Sequence, residues 1–503
     1  MADQQADVFA FLADPATHGM TAAVRRIDTH GAAVFLAGDD VYKVKRAVRF
    51  PFMDFSTLEK RRQACAAEIA VNRDNAPAIY RGIVPIVRAG DGLRLGGDGE
   101  VVEWAVHLKR FDEDRTLDRL AERGEFPDEL VPALVEAVMA AHARAAISDG
   151  TAATAALGDN LEETLAEIAA APTVFPPAEA EPLAGAMRTA FARLRPLLLA
   201  RGAAGRVRRC HGDLHLRNIA LIDGRPVLFD AIEFDESIAT TDVLYDLAFL
   251  VMDLWQRGLH AAANRVLNRY LWGADDEAAE IAGLAALPLF LALRALIRAK
   301  VAVAAGGQEG EARAYFAAAC RFMAATPPRL VAVGGLSGSG KTTIAAALAP
   351  EMGSPPGAVH LRSDIERKRL FRAAETERLP EAAYSQEATA QVYAALRRLA
   401  AAALAAGCSV TVDAVHQRFE EREAIARVAA DAGVPFTGLW LDAPVAALAQ
   451  RVEARKGDAS DATAAVVEAQ AARSLGDLSW PRIDAGAGIG ETLRGARAAV
   501  GAA

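Results

Sequence analysis

Apolar and polar positions alternate in short runs over the first hundred residues, which predicts strands at Ala32–Ala37, Val41–Arg46, Ile83–Val87 and Glu103–Arg110. A longer run with helical spacing, from Ser56 to about Asn75, separates the second strand from the third. Together they describe a small sheet with one helix against it. From Pro127 to Leu199 the period is helical, with a proline-rich break at Pro172–Pro182. A two-stranded element, Ile219–Ile222 and Val227–Phe229, follows the segment RRCHGDLHLRN, and helices then run to about Met323. Paired prolines in Ala324–Arg329 mark a linker, because proline ends a helix and biases its predecessor towards extended geometry.

Beyond the linker, strands alternate with helices. Strands are expected at Leu330–Val333, Val359–Leu361, Ser409–Val412 and Phe436–Leu441. Helices are expected from Thr342, near Asp364–Phe371, over Ser385–Ala406 and up to Ala432. That rhythm predicts a parallel sheet covered by helices. The expected organisation is therefore a two-lobed unit over 1–325, with a sheet-bearing lobe to about 112 and a helical lobe from 113. A linker at 326–329 and an α/β unit at 330–503 complete it.

Composition narrows the class. The chain has 503 residues, 52% apolar and 24% charged, enough for about three domains of ordinary size. A net charge of −9 supplies no general basic field for wrapping duplex nucleic acid or coating an anionic membrane. The four cysteines, Cys65, Cys210, Cys320 and Cys408, form no CxxC or Cys/His pair, so neither a disulfide scaffold nor a structural zinc site is expected and a reducing cytoplasm fits. Asp3 and Asp7 stand where a signal peptide needs basic residues. The most apolar run, Ile281–Leu293, is expected to be a buried helix too short to span a bilayer.

Two segments carry chemistry. Gly335-Leu-Ser337-Gly338-Ser339-Gly340-Lys341-Thr342 fits GxxxxGK[ST], between the apolar run RLVAVG and the helix-forming TIAAALA. Glycines let backbone N–H groups turn inward around phosphate oxygens, and the following helix N-terminus adds partial positive charge. Lys341 is the candidate for the β/γ-phosphates and Thr342 for Mg2+, with Ser337, Ser339 and Thr343 beside them on the nucleotide. This half resembles the small P-loop kinases, among them gluconate kinases, chloramphenicol phosphotransferases, zeta-toxin-like proteins and polynucleotide kinases. The resemblance rests on this loop, Arg362-Ser363-Asp364, Val412-Asp413-Ala414 and Arg451–Arg455. It implies Asp364 as the group receiving the acceptor's proton and Arg451 and Arg455 as lid arginines on phosphate. Asp413 is a candidate for metal or substrate.

The second segment, His211-Gly-Asp213-Leu-His-Leu-Arg-Asn218, sets an Asp and an Asn five apart, and Asp230 ends the strand PVLF. HGDLHLRN with LFDAIEFDE resembles the aminoglycoside phosphotransferase family. The resemblance implies a bilobal kinase fold, Asp213 as base, and Asn218 and Asp230 as Mg2+ ligands. Upstream, VYKVK puts Lys43 and Lys45 on one strand face, with Glu68 on the next helix as the partner of a phosphate-binding lysine. Position after the Tyr favours Lys43, and Lys45 stays open. Thr29–Ala32 is a candidate phosphate-covering turn and Glu103–Phe111 a candidate adenine hinge. Asp242 and Asp246 read as helix caps behind the loop.

As a whole the chain resembles bacterial proteins described as bifunctional aminoglycoside phosphotransferase/ATP-binding proteins. The expectation is a kinase with two nucleotide sites, using ATP and Mg2+ to phosphorylate a hydroxyl of a sugar, amino sugar or aminoglycoside-like molecule. Two alternatives stay open: one half as an ATP-binding regulatory module, or a polynucleotide 5′-kinase in the C-terminal half. No membrane partner is expected, nucleic acid is disfavoured by charge, and oligomeric state is unspecified.

Overall fold

The computed structural model describes residues 2–50, 53–90, 92–454 and 459–501. These fall into two compact units. One comprises Met1–Glu162 with Leu198–Asp253, the other Glu163–Leu197 with Leu254–Ala503.

In the first unit, β1 (Arg25–Asp28), β2 (Ala32–Ala37), β3 (Asp40–Lys45), β4 (Tyr80–Ala89), β5 (Gly92–Leu95) and β6 (Glu100–Lys109) form one antiparallel sheet ordered β1-β2-β3-β6-β4-β5. The four strands legible in the alternation are present. β1 and β5 are additional four-residue strands at the sheet's edges: β1 is largely exposed and carries no clean alternation, and β5 alternates, with Leu93 and Leu95 on the core, but over too few residues to stand out. One face buries Phe35, Val44, Ile86 and Ala105 under Val8 and Leu12 of α1 (Ala2–Ala13). The other face packs Val106 and Tyr80 against Cys65 of α2 (Leu58–Asn72), a helix capped by the Thr57 side chain. The unit continues through α3 (Val131–Arg144) and the hairpin β7 (Ile219–Ile222) and β8 (Arg225–Leu228) to the buried helix α4 (Val243–Gln256).

The second unit opens its long segment with α5 (His260–Gly273), α6 (Glu277–Gly283), α7 (Leu287–Ala305) and α8 (Glu309–Met323). A 3-10 turn, Leu284–Ala286, fuses α6 to α7, so the apolar run is longer than the sequence pattern indicated. Residues Glu277–Ala305 are long and apolar enough to cross a membrane, yet 78% of their most apolar window is packed inside the protein, as in a core helix. Pro182, expected within a break, instead lies inside the helix Pro177–Ala203, where Leu183 and Met187 are buried. Their packing outweighs the one backbone hydrogen bond proline forfeits.

The same unit contains a five-stranded parallel sheet ordered β10-β11-β9-β12-β13, built from β9 (Leu330–Gly335), β10 (Val359–Arg362), β11 (Val410–Asp413), β12 (Phe436–Asp442) and β13 (Arg482–Asp484). Around it lie α9 (Lys341–Leu348), α10 (Ser363–Leu370), α11 (Gln386–Ala405), α12 (Phe419–Asp431), α13 (Val445–Ala454), α14 (Ala464–Ala471) and α15 (Ile489–Val500). β9, LVAVGG, is buried along its whole length, which is why it reads as a continuous apolar run, while β10 (VHLR) and β11 (VTVD) are equally buried but carry polar residues. Arg362 is in register with Asp413, and Asp413 with Val333, so the chemistry-bearing residues share the carboxyl edge of the sheet.

Candidate active site

In the first unit, strand alternation points Lys43 and Lys45 the same way, and both reach Glu68 on α2. Lys43 Nζ lies 3.0 Å from Glu68 Oε1 and 2.7 Å from Asp230 Oδ1. Lys45 Nζ donates to Glu68 Oε2 at 2.5 Å and also to Glu233. Lys45 is fully buried, whereas Lys43 and Asp230 keep partial exposure. Burial alone would raise the Glu68 carboxyl, but the two ammonium groups pull it below its ordinary value. Burial disfavours charge on Lys43, yet Asp230 and Glu68 hold its proton well above the usual lysine range. Asp230, likewise penalised by burial, is kept low by Lys43. Lys43, Glu68 and Asp230 thus hold one another in their charged forms.

The HGD segment is held from behind. Asp246 on α4 accepts from Gly212 N at 2.8 Å, from His211 N at 3.3 Å and from the His142 ring at 3.1 Å. Gly212 sits at φ +82 against Ala239, which needs a residue without Cβ. His211 Nδ1 accepts from Asp213 N and its Nε2 meets Phe229 O at 2.9 Å, the pattern of a neutral ring, and burial lowers its pKa accordingly. Asn218 Nδ2 donates to Asp213 Oδ2 at 2.8 Å, which leaves the Asn218 side-chain oxygen for another partner. Asp230, at φ +60, is fixed by Tyr80 Oη on its N–H, while the next N–H donates to Asn72 Oδ1.

Asp246, expected as a helix cap, is thus a brace of this loop. Asp242 does cap α4, through Leu244 N, and pairs with Arg201 at 2.7 Å. Tyr80, Asn72 and Glu233 carried no signal in the sequence. His142, Cys210 and Asp246 approach within 4.8 Å of one another, the spacing of a metal site. Asp246 is already committed to the loop amides and the Cys210 thiol faces Thr241 O, so the group is a structural brace. All four cysteines are free thiols. Thr29–Ala32 forms the β1–β2 turn and residues 103–109 lie in β6, the central strand between β3 and β4.

In the second unit, Gly335, Gly338 and Gly340 all take positive φ between β9 and α9. A Cβ on Gly338 would lie 2.6 Å from Leu448 O, whereas one on Gly340 would meet nothing within 4 Å, which leaves an open cradle at the helix N-terminus. Lys341 Nζ donates to Leu336 O at 3.0 Å and Thr342 Oγ1 hydrogen-bonds Asp413. Burial favours a proton on Asp413, but His360, Lys341 and Arg362 hold its carboxyl down at about 2. Asp364 is raised instead, by burial and by the Asp413 carboxylate. Two carboxylates whose proton affinities are pushed apart in one site suit two roles. Ser337 N donates to Gln470 Oε1 at 2.9 Å, Ser339 is buried, and Thr343 is exposed. Arg451 on α13 donates to Ala485 O at 2.9 Å, and Arg455 lies outside the described residues.

Residues 37–284 match the phosphotransferase enzyme family, and residues 330–474 match an AAA domain. An uncharacterized protein of Mycobacterium tuberculosis H37Rv is 30% identical over 474 residues, 91% of each chain, and one of Mycobacterium bovis matches to the same extent. The chain belongs to this phosphotransferase family. It is a kinase, and kinase-type families of this kind use a nucleotide. Among solved structures, a sugar kinase from Janibacter sp. HTCC2649 is 24% identical, covering 35% of this chain and 96% of its own, with a TM-score of 0.28. A choline/ethanolamine kinase family protein from Mesorhizobium loti is 18% identical, covering 64% and 95%, with a TM-score of 0.39. The phosphotransferase match ends in α6, within the second compact unit.

Proposed function

We propose that this kinase uses ATP and Mg2+ at two separate sites to phosphorylate hydroxyl groups of small molecules of the sugar, amino sugar or aminoglycoside class. The observation that carries the reading is the Lys43–Glu68–Asp230 cluster with Asp213 tied to Asn218: a phosphate cation, its anchor, a metal carboxylate and a base, brought together from segments far apart.

At the first site Lys43 takes the α/β-phosphates while Glu68 holds its ammonium in place. Its present bond to Asp230 gives way to a phosphate oxygen, which frees the carboxylate. Asp230, the side-chain oxygen of Asn218 and, at the second site, Thr342 with Asp413 are hard oxygen donors suited to Mg2+. The ion, when bound, neutralises phosphate charge. Asp213, oriented by Asn218 and by the His215 ring 3.3 Å away, aligns the acceptor hydroxyl and takes its proton as the phosphoryl group leaves. Lys45, buried under Glu68 and Glu233, fixes the geometry from below, so Lys43 is the phosphate lysine.

At the second site the backbone of residues 335–340 and Lys341 hold the β/γ-phosphates, with Ser337, Ser339 and Thr343 alongside and Arg451 and Arg455 as lid cations. Asp364 serves as proton acceptor beside Asp413, whose carboxyl is held low by His360, Lys341 and Arg362. The test is a mass-spectrometric screen of alcohol acceptors on wild type, Asp213→Ala and Lys341→Ala. Loss of a different phosphorylated product in each variant supports two enzymes. Nucleotide consumption insensitive to one of the two changes would make that half a binding module, and insensitivity to both would end the reading.

A further inference from the structure

The edge strand of the parallel sheet is not left open. β10 has β11 on one side only, and its free edge is met by side chains of α5 at every fourth residue. Asn264 Nδ2 and Asn268 Nδ2 donate to Ala358 O at 3.0 and 3.1 Å. Asn268 Oδ1 accepts from His360 N at 2.7 Å, and Trp272 Nε1 donates to His360 O at 2.8 Å. Residues 264, 268 and 272 lie on one face of the helix, so the stripe substitutes for a neighbouring strand.

The stripe ends at the carboxyl edge, where the chemistry is. There the Arg362 guanidinium lies 5.4 Å from the centre of the Trp272 ring, in cation–π range. Glu375 bridges Arg269, at 2.7 Å, and Arg362, at 3.8 Å. On its other side Arg362 Nε stands 3.9 Å from Asp413 Oδ2, and Asp364 follows two residues on. Arg369 locks the end of α5 onto α10 by donating to Trp272 O at 2.6 Å and Ala274 O at 2.7 Å.

From this geometry we infer that Trp272 is a positioning residue of the P-loop phosphoryl-transfer site, holding Arg362 in the place where its charge balances Asp364 and Asp413. The inference rests on the proposed reading of the P-loop site. Trp272 belongs to the segment matching the phosphotransferase enzyme family, while Arg362 belongs to the AAA match. The catalytic wall of the second half is therefore supplied by the first.

The test uses the full chain carrying Asp213→Ala and measures Lys341-dependent ADP formation from ATP and Mg2+, with water as acceptor. Trp272→Leu, which changes no charge, is expected to lower kcat about tenfold with KM for ATP within about twofold. Trp272→Phe, which keeps an aromatic face under Arg362, is expected to retain about half the rate or more. Thermal unfolding followed by circular dichroism accompanies both. Unchanged kcat in Trp272→Leu overturns the positioning role, as does a rate loss matched by a collapsed unfolding midpoint that Trp272→Phe does not rescue. Absence of Lys341-dependent ADP formation in the parent, or indifference to Asp364→Asn, overturns the underlying reading of the site instead.

Discussion

Glu277, the first residue of α6, and Glu366, on α10, face each other 4% and 5% exposed, with Arg369 Nη2 at 3.2 Å from Glu277. Burial, and then the Glu366 carboxyl, push Glu277 from 4.5 up to about 9, and burial raises Glu366 as well. The folded chain therefore keeps a proton that the unfolded chain releases above about pH 4.5. Stability from this pair is present below that pH and declines as pH rises through about 9. At 1.36 kcal/mol per unit, a shift from 4.5 to about 9 sets a ceiling of about 6 kcal/mol across the window. The pull of Arg369 towards the charged form is already contained in that value, and because Glu366 titrates together with Glu277 a few kcal/mol is the expected effect. Glu277→Gln removes the titration and gives Glu366 a neutral donor. Urea unfolding followed by tryptophan fluorescence should show the variant more stable than wild type at pH 8.5, by about 1–3 kcal/mol, with the difference shrinking towards pH 5.5. A variant less stable at pH 8.5, or a difference independent of pH, would refute the reasoning.

Other consequences are equally direct. Asp246→Asn keeps the shape but replaces one of the two acceptor oxygens with an NH2 donor, so one of the two loop amides loses its acceptor. Asp213-dependent turnover should fall on the order of a hundredfold through misplacement of the loop, with KM for ATP nearly unchanged in steady-state kinetics. Lys45→Met leaves Glu68 and Glu233 facing each other without their buried cation and should cost about 3–5 kcal/mol in chemical denaturation. Lys43→Met, at the more exposed position, should instead act mainly on KM for ATP. Asn268→Ala strips His360 N of its acceptor and should destabilise the second unit by about 1–3 kcal/mol, read from the same urea curves.

Both candidate segments were legible because their geometry is local. GxxxxGKT needs glycine exactly where the backbone takes positive φ, and HGD with an Asn five residues later is a loop whose members bond one another. Position after the Tyr favoured Lys43 but left Lys45 open, since two residues on one strand face differ in surroundings only once Glu68, Asp230 and Glu233 arrive from elsewhere. Asp246 acts 34 residues from Gly212, and Asn72 acts 159 residues from Ala231, and neither residue type at that distance signals a contact.

The sequence by itself determined the two kinase-type segments, the antiparallel-then-parallel architecture and the order of the halves, because periodicity and turn geometry are short-range properties of the chain. The tertiary structure alone decided which groups come together. Burial sets proton affinities only after folding, as at Asp364 and Asp413, and a free strand edge must find hydrogen-bond partners wherever the fold can offer them. Here α5 offers them, and a helix within the segment that matches the phosphotransferase family comes to cover an edge of the parallel sheet.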